Sequence, residues 1–464
     1  MKDWQKLRDE IKQIYLADKR PWVIGYSGGK DSTTSLQLVW EAISQLPVEK
    51  RKKQVYVISS DTLVETPVIV DFINQTLSRI NEKAAETKMP FQARKVRPVI
   101  RDSFWVNLIG RGYPAPSNTF RWCTDRLKIR PSNSFILKTV SRYGEVILVL
   151  GVRSAESQTR AHVIKSYQIQ GSPLSRHSRF SGAYVYAPIK TWTIDDVWDY
   201  LLTNKSPLGN DNRELVQLYR KATGECPLVV DDTTPPCGNS RFGCWTCTVV
   251  RTEKSITSLI ESGEKWMLPL LEFRNFLVST QDPEVKADYR EYKRRQGMVS
   301  FKSDGSGVIS RGPYTLEVCK ELLKRLLSME KQIREKGPDP NIHLILPEEL
   351  QYIRRIWRIE RGDWIDSVPK IYRDITGSDL DWVKNDVGAF TSKEKALLEG
   401  ICIEQQSPPK LVMKLLDAEL QTQGMRRRSS IYNMIDSIFN EEWRSEDEVI
   451  RAYEMAHPQK VNKQ

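Results

Sequence analysis

The sequence has no long hydrophobic run. No stretch approaches the ~20 apolar residues that a membrane-spanning helix requires, and Met1–Lys6 opens an amphipathic segment without the apolar core of a signal peptide. A cytoplasmic protein without membrane association is the expectation. Histidine is scarce. The four present, His162, His177, His343 and His457, lie far apart, which argues against a histidine metal site. No Ser-His-Asp or paired-carboxylate pattern stands out. Cysteine is limited to seven residues, of which Cys123, Cys319 and Cys402 are isolated and Cys226, Cys237, Cys244 and Cys247 are clustered. A local cluster in a reducing compartment points to metal rather than to a disulfide framework.

The chain of 464 residues is long enough for two or three domains, and 39% hydrophobic with 28% charged residues describes a globular protein. The formal net charge is +12 and the pI about 9.2. Nucleic acid is the first acidic partner such a balance suggests.

The chain is organised around Trp22-Val23-Ile24-Gly25-Tyr26-Ser27-Gly28-Gly29-Lys30-Asp31-Ser32. Trp22–Gly25 is short, apolar and preceded by Pro21, and it reads as a buried strand. From Asp31 the apolar residues Leu36, Leu38, Val39 and Ile43 recur at helical spacing. Two adjacent glycines let backbone N–H groups converge, and a following helix N-terminus contributes about half a positive charge. Strand, glycine loop and helix together make an anion socket, most naturally for a pyrophosphate. The common P-loop needs G-x-x-x-x-G-K-[ST]. Here Gly25 stands one position too close to Gly29, and Asp31 replaces the hydroxyl residue.

Further strands are expected at 55–58, 91–96, 146–150 and 184–187, and helices after Thr66 and Thr193. Asp61 follows the second strand, where an open α/β sheet presents ligand contacts. The alternation predicts a doubly wound, mostly parallel α/β domain over residues 1–205. Residues 206–300 hold the cysteines in the spacing C-x10-C-x6-C-x2-C. Four thiolates so placed suit structural zinc or an iron–sulfur cluster. Residues 301–464 read as a basic, mainly helical region. Before it, Tyr289-Arg290-Glu291-Tyr292-Lys293-Arg294-Arg295 interleaves aromatics with cations, either a nucleic-acid contact or the wet face of a helix. Gly312-Pro313-Tyr314-Thr315 is expected to cap a helix through Leu322, Leu323, Leu326 and Leu327. Leu411, Leu415, Leu416 and Leu420 trace a later helical stripe, and Arg426–Arg428 form a basic patch.

Ser27-Gly28-Gly29-Lys30-Asp31-Ser32 resembles the PP-loop of ATP pyrophosphatases, which cleave ATP between the α and β phosphates. Three later segments resemble the phosphoadenylylsulfate (PAPS) reductase branch of that superfamily: Cys123 through Lys128 to Pro131, Gly151-Val152-Arg153 through Glu156 and Ser157 to Arg160, and Pro188-Ile189 through Trp192 to Asp196-Val197-Trp198. With the cysteine spacing and Gly312–Thr315, residues 15–330 resemble the DndC family, sulfurtransferases of bacterial DNA phosphorothioation. That resemblance implies ATP with Mg²⁺, a [4Fe–4S] cluster on Cys226, Cys237, Cys244 and Cys247, DNA as substrate, and a cysteine desulfurase and other Dnd proteins as partners. Ser27, Gly28, Gly29 and Ser32 would hold the β and γ phosphates, and Lys30 would neutralise the departing pyrophosphate. Asp31 would place Mg²⁺, Asp61 would contact the nucleoside, and Gly151, Arg153 and Arg160 would flank the nucleotide. For Cys123, beside Arg121, Arg126 and Lys128, three roles stay open: a low-pKa sulfur carrier, an inert thiol, or a cluster ligand in place of Cys226. An assimilatory PAPS or APS reductase and a nucleotide-sensing DNA-binding subunit are the alternative readings.

Overall fold

The computed structural model describes residues 3–156, 162, 165–223, 243–304, 306–383, 390–423 and 429–457. By contacts the chain falls into two units, one of Met1–Val99 with Asn118–Leu271, the other of Ile100–Ser117 with Glu272–Gln464. Residues 206–271 therefore gather with the expected nucleotide domain, and a short piece from inside 1–205 gathers with the C-terminal part. Among the described residues no helix is long and apolar enough to cross a membrane.

The first unit is a six-stranded sheet in the order β3-β2-β1-β4-β6-β5. Its strands are β1 (Trp22–Gly25), β2 (Val55–Ser60), β3 (Phe91–Val96), β4 (Val146–Val149), β5 (Leu174–Arg176) and β6 (Ala183–Tyr186). All neighbours are parallel except β5 with β6. In the central strand, Trp22 pairs with Val55 on one side and Ile147 on the other. Period-two geometry sends Trp22, Ile24, Val55, Val57, Ile147 and Val149 into the larger core, which holds the helices Trp4–Leu16, Lys30–Ser44 and Pro67–Glu86. Val23, Tyr56, Ile58, Val146 and Leu148 face the other way, toward the helix Arg130–Tyr143. Cover on both faces explains why these strands read as continuous apolar runs. β3, at the edge, alternates buried and exposed residues instead.

The strand β5 was not anticipated, since three residues carry too little pattern to read. The chain runs from β1 to β2 and β3 on one side and returns to β4 on the other. The crevice beyond the carboxyl ends of β1 and β4 is therefore the switch point of the sheet, the usual ligand position in open α/β folds.

The second unit is mainly helical. Phe104, Trp105, Val106, Leu108 and Ile109 are fully buried in it, with π-helical winding over Val106–Gly110. Trp105 Nε1 donates to the Leu344 carbonyl (2.6 Å), and Trp357 Nε1 to that of Ile109 (2.9 Å). Leu322, Leu323, Leu326 and Leu327 lie on the buried face of the helix Leu316–Lys336, capped by Thr315 as expected. The helix Pro409–Thr422 also forms, but Met413, Ala418 and Thr422 are buried rather than the predicted leucine stripe. The cation–aromatic run holds a turn: Arg290 donates to the carbonyls of Gly312 (2.6 Å) and Arg311 (2.7 Å), and Arg294 to that of Arg311 (3.0 Å). Arg311 in turn grips Glu446 with two bonds of 2.8 and 2.6 Å. Arg426–Arg428 lie outside the described residues.

One buried acid gives this unit a pH dependence. Burial pushes the Glu349 carboxyl up to about 7, against the pull of its bond from the Leu346 N–H. A folded-state value above the unfolded one contributes stability at low pH that is lost as pH rises through about 7. The full shift corresponds to an upper bound on the order of 3 kcal/mol. Thermal unfolding is therefore expected to show Glu349→Gln flattening the loss of melting temperature between pH 5 and pH 8. Parallel pH profiles for the two proteins would refute this.

Candidate functional site

The glycine loop leaves β1 at Gly25 and enters the helix Lys30–Ser44 through Gly29, which supplies no side-chain cap. Gly28 takes a φ of +75°, a conformation that side chains rarely adopt. Ser32 Oγ donates to the Gly29 carbonyl (2.9 Å) and accepts from the Ser27 N–H (3.2 Å), with Ser27 Oγ also at 3.2 Å. The two serines therefore fold the loop over the helix N-terminus, where unpaired N–H groups and the helix dipole favour an anion.

Two cations meet one carboxylate there. Asp31 Oδ2 accepts from Lys30 Nζ (3.0 Å) and Asp31 Oδ1 from Arg153 Nε (2.6 Å). Both oxygens of Asp31 thus orient cations. Arg153 is only 4% exposed and arrives from the loop after β4. Gly151 permits that arrival. A Cβ on it would lie 2.5 Å from the Asp31 carbonyl oxygen and 2.8 Å from the Ser32 nitrogen. The predicted residues Ser27, Gly28, Gly29, Lys30, Asp31, Ser32, Gly151 and Arg153 are thereby brought together at the switch point. Arg160 lies outside the described residues.

Sequence reading missed Tyr219. Its hydroxyl accepts from the Lys30 N–H (3.2 Å), and its ring lies 5.7 Å from Lys30 Nζ. Burial pushes its phenol well above the usual range. Tyr219 sits in a helix with no motif around it, so nothing in the sequence marked it.

Asp61 is buried at the end of β2, with Arg97 Nε at 2.9 Å and Lys95 Nζ at 3.3 Å, and it accepts from the Leu63 N–H (3.1 Å). Its carboxylate organises the following turn, where Leu63 has a φ of 65°.

The cysteine turn docks on that same loop. Trp245 N–H donates to the Val64 carbonyl (3.1 Å), and Thr66 Oγ1 to that of Gly243 (3.2 Å). Thr62 Oγ1 lies 3.3 Å from Cys244 Sγ. Cys247 N–H donates to the Cys244 carbonyl (3.0 Å), closing a C-x2-C turn that supplies two thiols. Cys226 and Cys237 lie outside the described residues. Among the described residues no three His, Cys, Asp or Glu side chains form a metal-holding group. The described half of the donor set nevertheless fits a thiophilic metal, because C-x2-C turns furnish paired sulfur ligands.

Cys123 joins this neighbourhood. Its thiol is pushed up, first by burial and then by Cys247. The expectation that adjacent cations lower it is therefore corrected: burial and the neighbouring Cys247 thiol outweigh them. Burial likewise pushes Cys244 up to about 11, with Lys128 opposing. Lys128 is itself pushed up, chiefly by Cys244 and also by Glu65, whose Oε1 lies 3.7 Å from its Nζ. Cys123, Cys244, Cys247, Lys128 and Glu65 thus share one pocket of mutual influence beside the β2 loop.

Comparison with known proteins adds a family. Residues 21–250 match the phosphoadenosine phosphosulfate reductase domain model. A curated relative, uncharacterized protein MJ0066 of Methanocaldococcus jannaschii, is 25% identical over 266 residues, 57% of this chain; the chain spans 44% of that relative's length. Among solved structures, PAPS reductase from Candida auris in a phosphate complex shares 16% identity over 45% of this chain and 83% of its own (TM-score 0.28). The U34-tRNA thiolase NcsA of Methanococcus maripaludis, with its [4Fe–4S] cluster, shares 13% over 61% and 82% (TM-score 0.26). Residues 21–250 are thus similar to a phosphoadenosine phosphosulfate reductase domain.

Proposed function

We propose that this chain cleaves ATP to AMP and pyrophosphate in order to place sulfur on the DNA backbone, as the DndC-type sulfurtransferases do. The observation that carries the reading is Lys30 and Arg153 bracketing Asp31 at the N-terminus of the loop helix. That cluster sits in the crevice where a sheet of this topology binds its ligand. It can stabilise the charge that develops as pyrophosphate departs.

A phosphodiester oxygen is a very poor leaving group. In the proposed first step a non-bridging oxygen of DNA attacks the α phosphorus of ATP. The bond from that phosphorus to the bridging oxygen breaks, and pyrophosphate leaves. Hydrosulfide from a sulfur donor then attacks the DNA phosphorus. AMP leaves with the original oxygen, the proton of hydrosulfide passes to solvent, and no oxidation state changes. Ser27, Gly28, Gly29 and Ser32 would seat the β and γ phosphates, and Tyr219 would hold Lys30 in register. Cys244 and Cys247, with Cys226 and Cys237, would hold a [4Fe–4S] cluster through four thiolates, which when bound would order the segment that carries them. A cysteine desulfurase, other Dnd proteins and a reducing cytoplasm are the setting this chemistry asks for.

The test is anaerobic incubation with ATP, duplex DNA and sulfide. Pyrophosphate release that depends on DNA, with phosphorothioate in the nuclease digest, is the expected result. ATP bound but left intact would point instead to a nucleotide-sensing subunit. Sulfite formed from PAPS and a thiol reductant, without ATP cleavage, would point to a sulfonucleotide reductase.

A further inference from the structure

The helical unit contains a cavity of about 630 Å³, within the usual range for a small-molecule site. One helix, Pro347–Glu360, contributes Tyr352, Arg354, Arg355 and Arg358 to its lining. The lining also includes an aromatic group. Trp364 is stacked on Phe390 with ring centroids 4.4 Å apart and planes at 18°, and Trp382 completes the group. The chain therefore lines one cavity of about 630 Å³ with both arginines and aromatic rings.

The internal contacts fix these walls in place. Arg354 is nearly buried and holds Asp366 with two bonds of 2.8 and 2.6 Å, while its guanidinium lies 5.7 Å from the Trp382 ring centre. Trp364 Nε1 donates to both oxygens of Asp417, at 3.1 and 3.2 Å. Arg355 is exposed, while Tyr352, Trp382 and Phe390 are only partly covered, so cation and ring surface both remain accessible. Asp417, also in the lining, is an acceptor for an amino group on a base edge.

We infer that this cavity binds one unstacked nucleotide of a single-stranded nucleic acid, its phosphate toward Arg355 and Arg358 and its base among Tyr352, Trp382 and Phe390. An arginine wall alone would suit any anion, and an aromatic wall alone any apolar ligand. Only a ligand with a flat ring and an adjacent negative charge uses both. Base–aromatic stacking is indifferent to sequence because every base has a flat face, and arginine adds phosphate contact and stacking. The inference stands on the helical unit alone, so it holds or fails separately from the pyrophosphatase reading.

The test uses fluorescein-labelled dT12 and the full-length protein without ATP, followed by anisotropy. Arg355→Ala and Trp382→Ala are each expected to weaken binding at least ~10-fold, the effect of losing ~1.4 kcal/mol. ATP-dependent pyrophosphate release measured with a saturating DNA concentration is expected to survive. Crosslinking of 5-bromodeoxyuridine placed in the oligonucleotide should map to Tyr352, Trp382 or Phe390. Should Trp382→Ala fail to fold, Arg355→Glu on the surface serves in its place. Unchanged dT12 affinity in a folded variant overturns the inference. Binding of free dTMP at this cavity without binding of dT12 also overturns it, since the ligand would then be a free nucleotide.

Discussion

Gly151→Ala is expected to lower ATP-dependent pyrophosphate release at least ~100-fold, the scale of loss when a catalytic group is displaced by about 1 Å. The substitution adds one methyl group, yet all three atoms it meets are backbone: the Asp31 carbonyl oxygen at 2.5 Å, its carbonyl carbon at 2.6 Å and the Ser32 nitrogen at 2.8 Å. None can rotate aside as a side-chain tip would. Relief must come from moving the loop after β4 away from the loop helix, and this carries Arg153 off Asp31. Lys30 then loses the carboxylate arrangement that aims it. Stability should suffer less than activity, because the hydrogen bonds of β1 with β4 lie earlier in both strands. The companion variant Lys30→Ala with Ser32→Ala removes the socket without a clash and should lose turnover with normal melting. Pyrophosphate release, nucleotide affinity and circular dichroism on both variants check this. Wild-type turnover in Gly151→Ala would show that Asp31, Arg153 and the loop act independently.

Cys244→Ser is expected to strip most of the iron from anaerobically purified protein and to abolish its broad visible absorption. Serine keeps the shape but replaces a soft thiolate by a hard oxygen donor, which iron–sulfur clusters rarely accept. Cys402→Ser is the control, since Cys402 is an isolated buried cysteine of the helical unit and should keep full iron. Cys123→Ser decides the open question beside it. Iron loss there would make Cys123 a ligand. Retained iron with lost sulfur transfer would make it part of the transfer step. Zinc in stoichiometric amount, with no iron in the wild type, would overturn the cluster.

The sheet and its loop were legible because their signals are local. Five of the six described strands, the glycine loop and the Thr315 and Thr193 caps follow from residue pattern within a dozen positions. What joins them was not legible. Asp31 and Arg153 each belong to a recognisable segment, but their pairing spans 122 positions and appears only when β4 lies beside β1. Tyr219 reaches Lys30 across 189 positions from a helix that carries no motif. The shift of Cys123 went the other way from expectation because burial and a thiol 124 positions away in sequence, Cys247, outweigh the flanking cations. Arg290 and Arg294 read either as phosphate contacts or as the wet face of a helix, but the carbonyls they bind are about twenty residues away, at a turn whose shape the sequence does not announce.

The place of residues 100–117 has a consequence for synthesis on the ribosome. Partners of Phe104–Ile109 include Phe273, Leu344 and Trp357, within a unit whose second part opens only at Glu272. Between Ser117 and Glu272 the growing chain adds about 155 residues, or roughly 8–30 s at ~5–20 residues per second. Throughout that interval a strongly apolar hexapeptide stays uncovered while the surrounding sheet can already form. It is a natural docking point for a holdase chaperone. A nascent chain that stalls near residue 271 would carry this segment bare and be prone to aggregate.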